Sequence, residues 1–260
     1  YHFILNLFLV NSWGLEKGPS FNGPNWSISV EVLLYLLFFI LCAFRLNKKY
    51  IVWLLVFLGL VIQLLYSPIG RGMFSFFLGG CVYYYYLYIQ KHNKAVSYLR
   101  FVSVITFVLV LLMILNAKYD WLTNYWSAYM IKHHYSFKSD FLIAKILNLC
   151  VRAFVLPSLL LFTVLLETVN GAIGKRLAFI GHISYSSYLI HFPLQMIVIY
   201  CAAQWGLASS FFNSSLALAG FFIVLITLSL MSYYYFELPV QNYLRKRLLK
   251  KAGQNKVTNG

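Results

Sequence analysis

The chain has 260 residues, 61% hydrophobic and 10% charged, with a formal net charge of +15 and a mean hydropathy of +0.74. Soluble domains carry about 25% charged residues, so a water-soluble core is excluded. The 21 basic against 6 acidic side chains would suit nucleic acid in a soluble protein, but their placement along this chain excludes that use.

Residues 1–10 are apolar yet too short to span a bilayer, and Gly14, Gly18, Pro19, Gly23 and Pro24 then break regular structure up to Trp26. Residues 1–25 therefore read as an extracytoplasmic or re-entrant segment. No signal peptide is visible and the first residue is Tyr1 rather than Met, so earlier crossings are expected upstream.

Seven apolar runs follow, at 26–43, 51–65, 73–88, 96–115, 146–166, 179–203 and 216–236. Most approach the ~20 residues of a spanning helix, and the second and third are the shortest. The predicted fold is all-α, a polytopic transmembrane bundle of about seven helices. It forms one domain over residues 26–244, incomplete at its N-terminus and closed by a basic tail at 245–260.

Arg45, Lys48 and Lys49 follow the first run, and Lys91, Lys94 and Arg100 the third. Lys175 and Arg176 follow the fifth, and Arg245, Lys246, Arg247, Lys250, Lys251 and Lys256 the seventh. Basic residues thus gather in every second connection, the pattern of loops retained on the cytoplasmic side. It places the C-terminus inside, against anionic membrane lipid, and the segment before Trp26 outside. The outer connection at 117–144 is the one sizeable polar insertion. Its Trp121, Tyr125, Trp126 and Tyr129 suit either a lid over the bundle or a loop at headgroup level.

No metal site is expected. Cys42, Cys81, Cys150 and Cys201 are isolated within apolar runs, and His133 and His134 have no third ligand nearby.

An ionisable side chain inside a spanning helix costs roughly 2.5–3.5 kcal/mol on insertion scales, so such positions are functional candidates. Glu31 lies in the first run with Ser27 and Tyr35 at i−4 and i+4 on one helix face. It reads either as a carboxylate favoured by the helix N-terminus or as part of a polar cavity. In the sixth run Ser184, Tyr188 and His191 share a stripe, and Pro193 cannot donate to the carbonyl of residue 189. His191 is either a satisfied packing histidine or a proton carrier.

Arg71 opens the third run, where it either snorkels to phosphates or holds an anionic group such as Glu31 or part of a substrate. Arg152 has the same options. Glu237, at the end of the last run, is expected to play a structural part by pairing with a basic inner loop such as Lys175 and Arg176. The charge-derived topology puts Glu31, Arg71 and His191 in the outer half of the bilayer, where a histidine beside a carboxylate suits general-base or proton-relay chemistry on a hydroxyl group.

Three segments resemble the acyltransferase-3 family of bacterial surface-modifying membrane enzymes. Asn25-Trp26-Ser27-Ile28-Ser29-Val30-Glu31 with Tyr35 resembles its W-S-L-S-x-E-x-x-x-Y stretch. Gly181-His182-Ile183-Ser184-Tyr185-Ser186-Ser187-Tyr188-Leu189-Ile190-His191 resembles G-x-I-S-Y-S-x-Y-L-x-H, and Phe236-Glu237-Leu238-Pro239 resembles the closing E-x-P. Arg71 followed by Phe76-Phe77-Leu78-Gly79 is similar to a fourth, looser element.

The resemblance implies a bacterial inner-membrane O-acyltransferase with no bound cofactor. It would move an acyl group, usually acetyl, from a cytoplasmic acyl-CoA such as acetyl-CoA to a hydroxyl of a cell-surface glycan or glycolipid. Glu31 and His191 would be catalytic. Arg71, Ser27, Tyr35, Ser184, Tyr185 and Tyr188 would bind substrate or shape its cavity. The family also carries a catalytic histidine eleven residues after a basic one. Here the residues eleven before His92, His133, His182 and His191 are Cys81, Leu122, Gly171 and Ile180. That histidine is therefore expected upstream, which leaves the activity of the chain alone open. Two other readings stay open: a transporter or flippase of lipid-linked sugars, and a non-catalytic membrane partner.

Overall fold

A computed structural model of the chain describes residues 1–15, 23–132, 139–171, 174–175, 178–206 and 209–257, and these are helical with no strand among them. A short helix α1 (His2–Leu7) is followed by α2 (Asn25–Ala43), α3 (Lys49–Leu65), α4 (Ser67–Lys91), α5 (Ala95–Tyr119), α6 (Trp121–Lys132) and α7 (Ser139–Cys150). A π-helical turn, Val151–Val155, carries α7 into α8 (Leu156–Asn170). Then come α9 (Ala178–Gln204), a 3₁₀ turn (Ser209–Asn213) and α10 (Ser215–Ser232). A second π turn, Tyr233–Glu237, leads into α11 (Leu238–Val257).

Five helical stretches are long and apolar enough to cross a membrane: Asn25–Ala43, Ala95–Tyr119, Ile143–Asn170, Ala178–Gln204 and Ser215–Arg247. They match five of the seven predicted runs. The two shortest runs fall in α3, which is apolar but has 17 residues, and in α4.

The structure adds to the sequence reading at two places. The polar insertion at 117–144 is not a plain loop, since α6 and α7 occupy its described parts; His133 and His134 lie outside the described residues. The basic tail is helical as α11 up to Val257, because Leu, Arg, Lys and Gln lose little side-chain freedom in a helix.

Both π turns have the same local cause. Pro157 follows Val155 by two residues, and Pro239 follows Glu237 by two. A proline inside a helix donates no hydrogen bond and its ring crowds the carbonyl four residues back, here Ala153 and Tyr235, so the turn before it widens.

The chain divides into two compact units. The larger comprises Leu9–Leu15 and Ser27–Ile173, and the smaller comprises Tyr1–Phe8, Glu16–Trp26 and Gly174–Gly260. The core of the larger unit joins Val30 and Leu34 of α2, Val52 and Val56 of α3, and Met73, Phe74 and Phe77 of α4. A second cluster packs Ile89 of α4, Val102 of α5, and Leu161 and Leu165 of α8.

The antiparallel hairpin of α3 and α4 is the tightest contact, and two glycines permit it. A Cβ at Gly70 would lie 2.1 Å from the Gln63 nitrogen, and one at Gly59 would lie 2.5 Å from the Phe74 nitrogen. Backbones approach this closely only where the side chain is a hydrogen.

The surface is unlike that of a soluble protein, and small polar groups share the interior with the apolar core. Leu64, Leu65, Phe107 and Leu216 are exposed, while Ser29, Thr106, Ser186 and Ser229 are buried. Apolar surface turned outward and small polar groups turned inward is the arrangement lipid favours.

Candidate functional site

In the larger unit, α2 carries the carboxylate. The i, i+4 spacing brings the Tyr35 hydroxyl onto Glu31 Oε1, to which it donates a hydrogen bond. Both side chains stand at the unit's surface, and the Tyr35 ring meets Phe76 of α4 edge-on at 5.9 Å. Ser27 is half-buried one turn earlier on the same face. Its neighbour Ser29 is fully buried and ties the preceding segment to α2. Ser12 N–H donates to Ser29 Oγ at 3.0 Å, and Trp13 Nε1–H donates to the Ser29 carbonyl at 2.9 Å.

Arg71 stands exposed on the first turns of α4, directly after Gly70. Among the described residues Glu31 accepts from Tyr35 and forms no ion pair with Arg71. Across the α3–α4 hairpin, Arg152 in the first π turn donates from Nη1 to Gln63 Oε1 at 3.2 Å and from Nε to the Asn148 carbonyl at 3.2 Å. Sequence reasoning gave Arg152 no such partner, because Gln63 is 89 residues away.

In the smaller unit, α9 carries the histidine. His191 Nδ1 lies 2.6 Å from the Tyr188 carbonyl. A carbonyl only accepts, so Nδ1 bears the hydrogen, and the neutral imidazole presents Nε2 as its lone-pair atom. The Tyr188 hydroxyl donates to the Pro24 carbonyl at 3.0 Å, and the Phe192 ring covers Gly23. The residues just before α2 are thereby held against the histidine helix. Ser184 Oγ donates to the Gly181 carbonyl at 2.8 Å and Ser187 Oγ to the Ser184 carbonyl at 2.9 Å, so these hydroxyls turn back on their own helix.

His191 borders a cavity of about 980 Å³ lined mainly by apolar side chains of α9, α10 and the 3₁₀ turn, among them Phe211, Phe212, Leu216 and Phe221, with Gln195 one turn beyond the histidine. Gln195 and the three phenylalanines were not singled out from sequence, although Gln195 lies at i+4 from His191. Ser184, Tyr185 and Tyr188 share the helix but are not among the residues lining this cavity.

Glu237 occupies the second π turn, where the buried Ser186 hydroxyl of α9 donates to its Oε1 and Ser232 Oγ donates at 3.3 Å. Tyr233, in the same turn, stacks on His182 with ring centroids 5.1 Å apart. The expected pairing with Lys175 and Arg176 is replaced by serine hydroxyls; Arg176 lies outside the described residues. The widened turn carries the carboxylate toward α9 at Ser186, a partner 51 residues away.

Long apolar helices interrupted by a few hydrogen-bonded ionisable side chains define a multi-pass membrane protein. The family model for the acyltransferase domain of the acyltransferase-3 family matches residues 1–234. The chain belongs to that family, and it is an enzyme that transfers acyl groups other than amino-acyl groups. The match includes Glu31, Arg71 and His191, while the E-x-P segment at Glu237 lies just beyond it. No curated protein and no solved structure matches.

Proposed function

We propose that this membrane acyltransferase moves an acetyl group from acetyl-CoA, reached from the cytoplasm, to a hydroxyl of a cell-surface glycan or glycolipid, in the bacterial inner membrane. The observation that carries the reading is His191, whose Nδ1–H is committed to a carbonyl and which borders a mainly apolar cavity. A histidine fixed in that tautomer is prepared to accept a proton at Nε2. As the acceptor hydroxyl loses its proton to Nε2, its oxygen bonds to the thioester carbonyl carbon. The C–S bond then breaks, and the CoA sulfur leaves with the returned proton as a thiol. Atoms and charge balance without a cofactor.

Glu31, accepting from Tyr35, orients the acceptor or relays its proton. Arg71 binds an anionic group of donor or acceptor, with Ser27, Ser184, Tyr185 and Tyr188 supporting the bound substrates. Glu237 is structural. Residues 26–244 constitute the catalytic bundle, residues 1–25 lie on the outer side, and the basic residues of 245–260 hold the C-terminus at the cytoplasmic leaflet.

The test replaces His191 and Glu31 singly by alanine in the full-length protein and measures O-acetylated surface glycan by mass spectrometry. Membrane levels are followed in parallel. General-base loss costs about 10²–10⁴-fold in rate, so acetylation should fall below detection in the His191 variant and sharply in the Glu31 variant. Full acetylation in both would sink the assignment. A C-terminal fluorescent fusion that matures only in the cytoplasm should fluoresce if the C-terminus lies inside.

A further inference from the structure

We infer that the cavity between α9 and α10 holds the hydrocarbon chain of a lipid-borne acceptor, whose hydroxyl groups meet His191 and Gln195. The inference rests on the reading of His191 as the base that takes a proton from the acceptor, and it narrows that acceptor to a glycolipid rather than a free glycan. Three observations carry it.

The first is size. The cavity measures about 980 Å³, at the upper end of the ~300–1,000 Å³ usual for ligand sites. An apolar cavity of ~150 Å³ already admits a benzene molecule. A two-carbon acetyl group would leave nearly all of this space empty, and a sugar alone would set its hydroxyls against phenylalanine and leucine. Room of this size with this lining suits a long hydrocarbon chain.

The second is the placement of polar atoms. Of the residues lining the cavity, two carry polar side chains, His191 and Gln195, and they stand one turn apart on the same face of α9. His191 commits Nδ1 to the Tyr188 carbonyl and keeps Nε2. Among the described residues Gln195 makes no side-chain hydrogen bond, although it lies within a helix long and apolar enough to cross the membrane. The bilayer core offers an amide no water to bond with, so its partner must come from a ligand or a protein group. Two unengaged polar groups on an apolar wall fit an amphipathic molecule, with its hydroxyl-bearing end at α9 and its chain along α10.

The third is access. Gly220 lines the cavity from α10, and a Cβ there would meet no atom within 4 Å. Leu216 and Leu218, on the same wall, are 84% and 58% exposed. The cavity is therefore open beside α10, which belongs to another of the membrane-crossing stretches. A lipid can enter sideways without leaving the oil, whereas a free glycan would have to shed its water first.

The experiment reconstitutes the full-length protein in phosphatidylcholine nanodiscs and adds dodecyl glucoside carrying a diazirine near the end of its chain. After illumination, mass spectrometry of peptides locates the label. Saturable labelling is expected within residues 191–224, the span that lines the cavity. Unlabelled dodecyl glucoside should compete for it. Glucose should not, and dodecylphosphocholine, which has the chain without hydroxyls, should compete about tenfold less well. Gly220→Trp places its indole in the open space and should lower labelling at least tenfold. Gln195→Leu keeps the wall apolar and should raise the half-saturating concentration about fivefold, the worth of one neutral hydrogen bond.

Unchanged labelling in Gly220→Trp overturns the proposal, as does equal competition by glucose or by dodecylphosphocholine; the last result would make the cavity a seat for bulk lipid. Should Gly220→Trp not fold, Gly220→Leu and Ala217→Phe decide, and unchanged labelling in both overturns it. The readout involves no acyl transfer. Failure here leaves His191 standing as the base for a free glycan, and full acetylation in the His191 variant with labelling intact counts against the proposed reaction alone.

Discussion

The two π turns begin from the same device and end differently. Each precedes a proline by two residues and each places one charged side chain in the widened turn, Arg152 in the larger unit and Glu237 in the smaller. Glu237 is closed: Ser186 and Ser232 both donate to it, and Ser186 is buried. Arg152 is open, with two neutral acceptors on one side of its guanidinium and uncommitted donors on the other. A buried polar group with its partners in place specifies packing, whereas a charge oriented but not neutralised is arranged for something outside the protein. The same backbone irregularity thus holds a carboxylate among hydroxyl donors in one unit and a guanidinium between two neutral acceptors in the other.

Four substitutions sharpen or break this contrast. Gly70→Ala strikes the open turn at its anchor, because a methyl group there meets the Gln63 backbone, which has no flexible end to yield. Overpacking of this kind costs about 3 kcal/mol at its upper range. It should separate α3 from α4 and lower Tm. Glu237→Ala removes the acceptor of a buried hydroxyl and should cost about 2 kcal/mol, read as a lower midpoint of unfolding in mixed micelles. Ser186→Ala removes the donor instead and leaves Ser232 in place, so about 1 kcal/mol is expected by the same measurement.

Arg152→Gln should change the unfolding midpoint least, by under about 1 kcal/mol, because the half-buried guanidinium has only neutral acceptors to lose. If Arg152→Gln unfolds the protein as readily as Glu237→Ala does, the distinction between an open and a closed turn fails.

Local features of the fold were legible because composition and short spacings report them. The long apolar stretches follow from hydropathy, and the Glu31–Tyr35 contact follows from i, i+4 geometry on a single helix. The hydrogen bond from His191 Nδ1 to the Tyr188 carbonyl is local too, but its direction depends on the rotamer, which spacing does not report. The long-range contacts were not legible. Gln63 and Arg152, or Ser186 and Glu237, meet only after the helices have packed, and no periodicity in one helix encodes a partner in another.

The helices of the polar insertion at 117–144 were not legible, because hydropathy distinguishes membrane from water rather than helix from loop. Its Trp-, Tyr- and Lys-containing segments still form α6 and α7. The close approach of α3 and α4 had a visible sign in Gly59 and Gly70, but a glycine in an apolar run marks a contact only when its opposite member is known. For the π turns the sign was each proline, which the reading of Glu237 as a helix terminus passed over. Because the helix continues through Pro239, that glutamate belongs to the middle of a longer rod.

That rod has a mechanical consequence. Ser215–Arg247 is a helical stretch of 33 residues, roughly 50 Å at about 1.5 Å per residue, against a hydrocarbon thickness of about 30 Å. About 20 Å must therefore be taken up by tilt or stand clear of the oil, and its end carries Arg245, Lys246 and Arg247. A stiff lever ending in cations resists being drawn into the bilayer. It sets the depth at which the helix rides, and with it the level of Glu237, near the boundary between oil and headgroups.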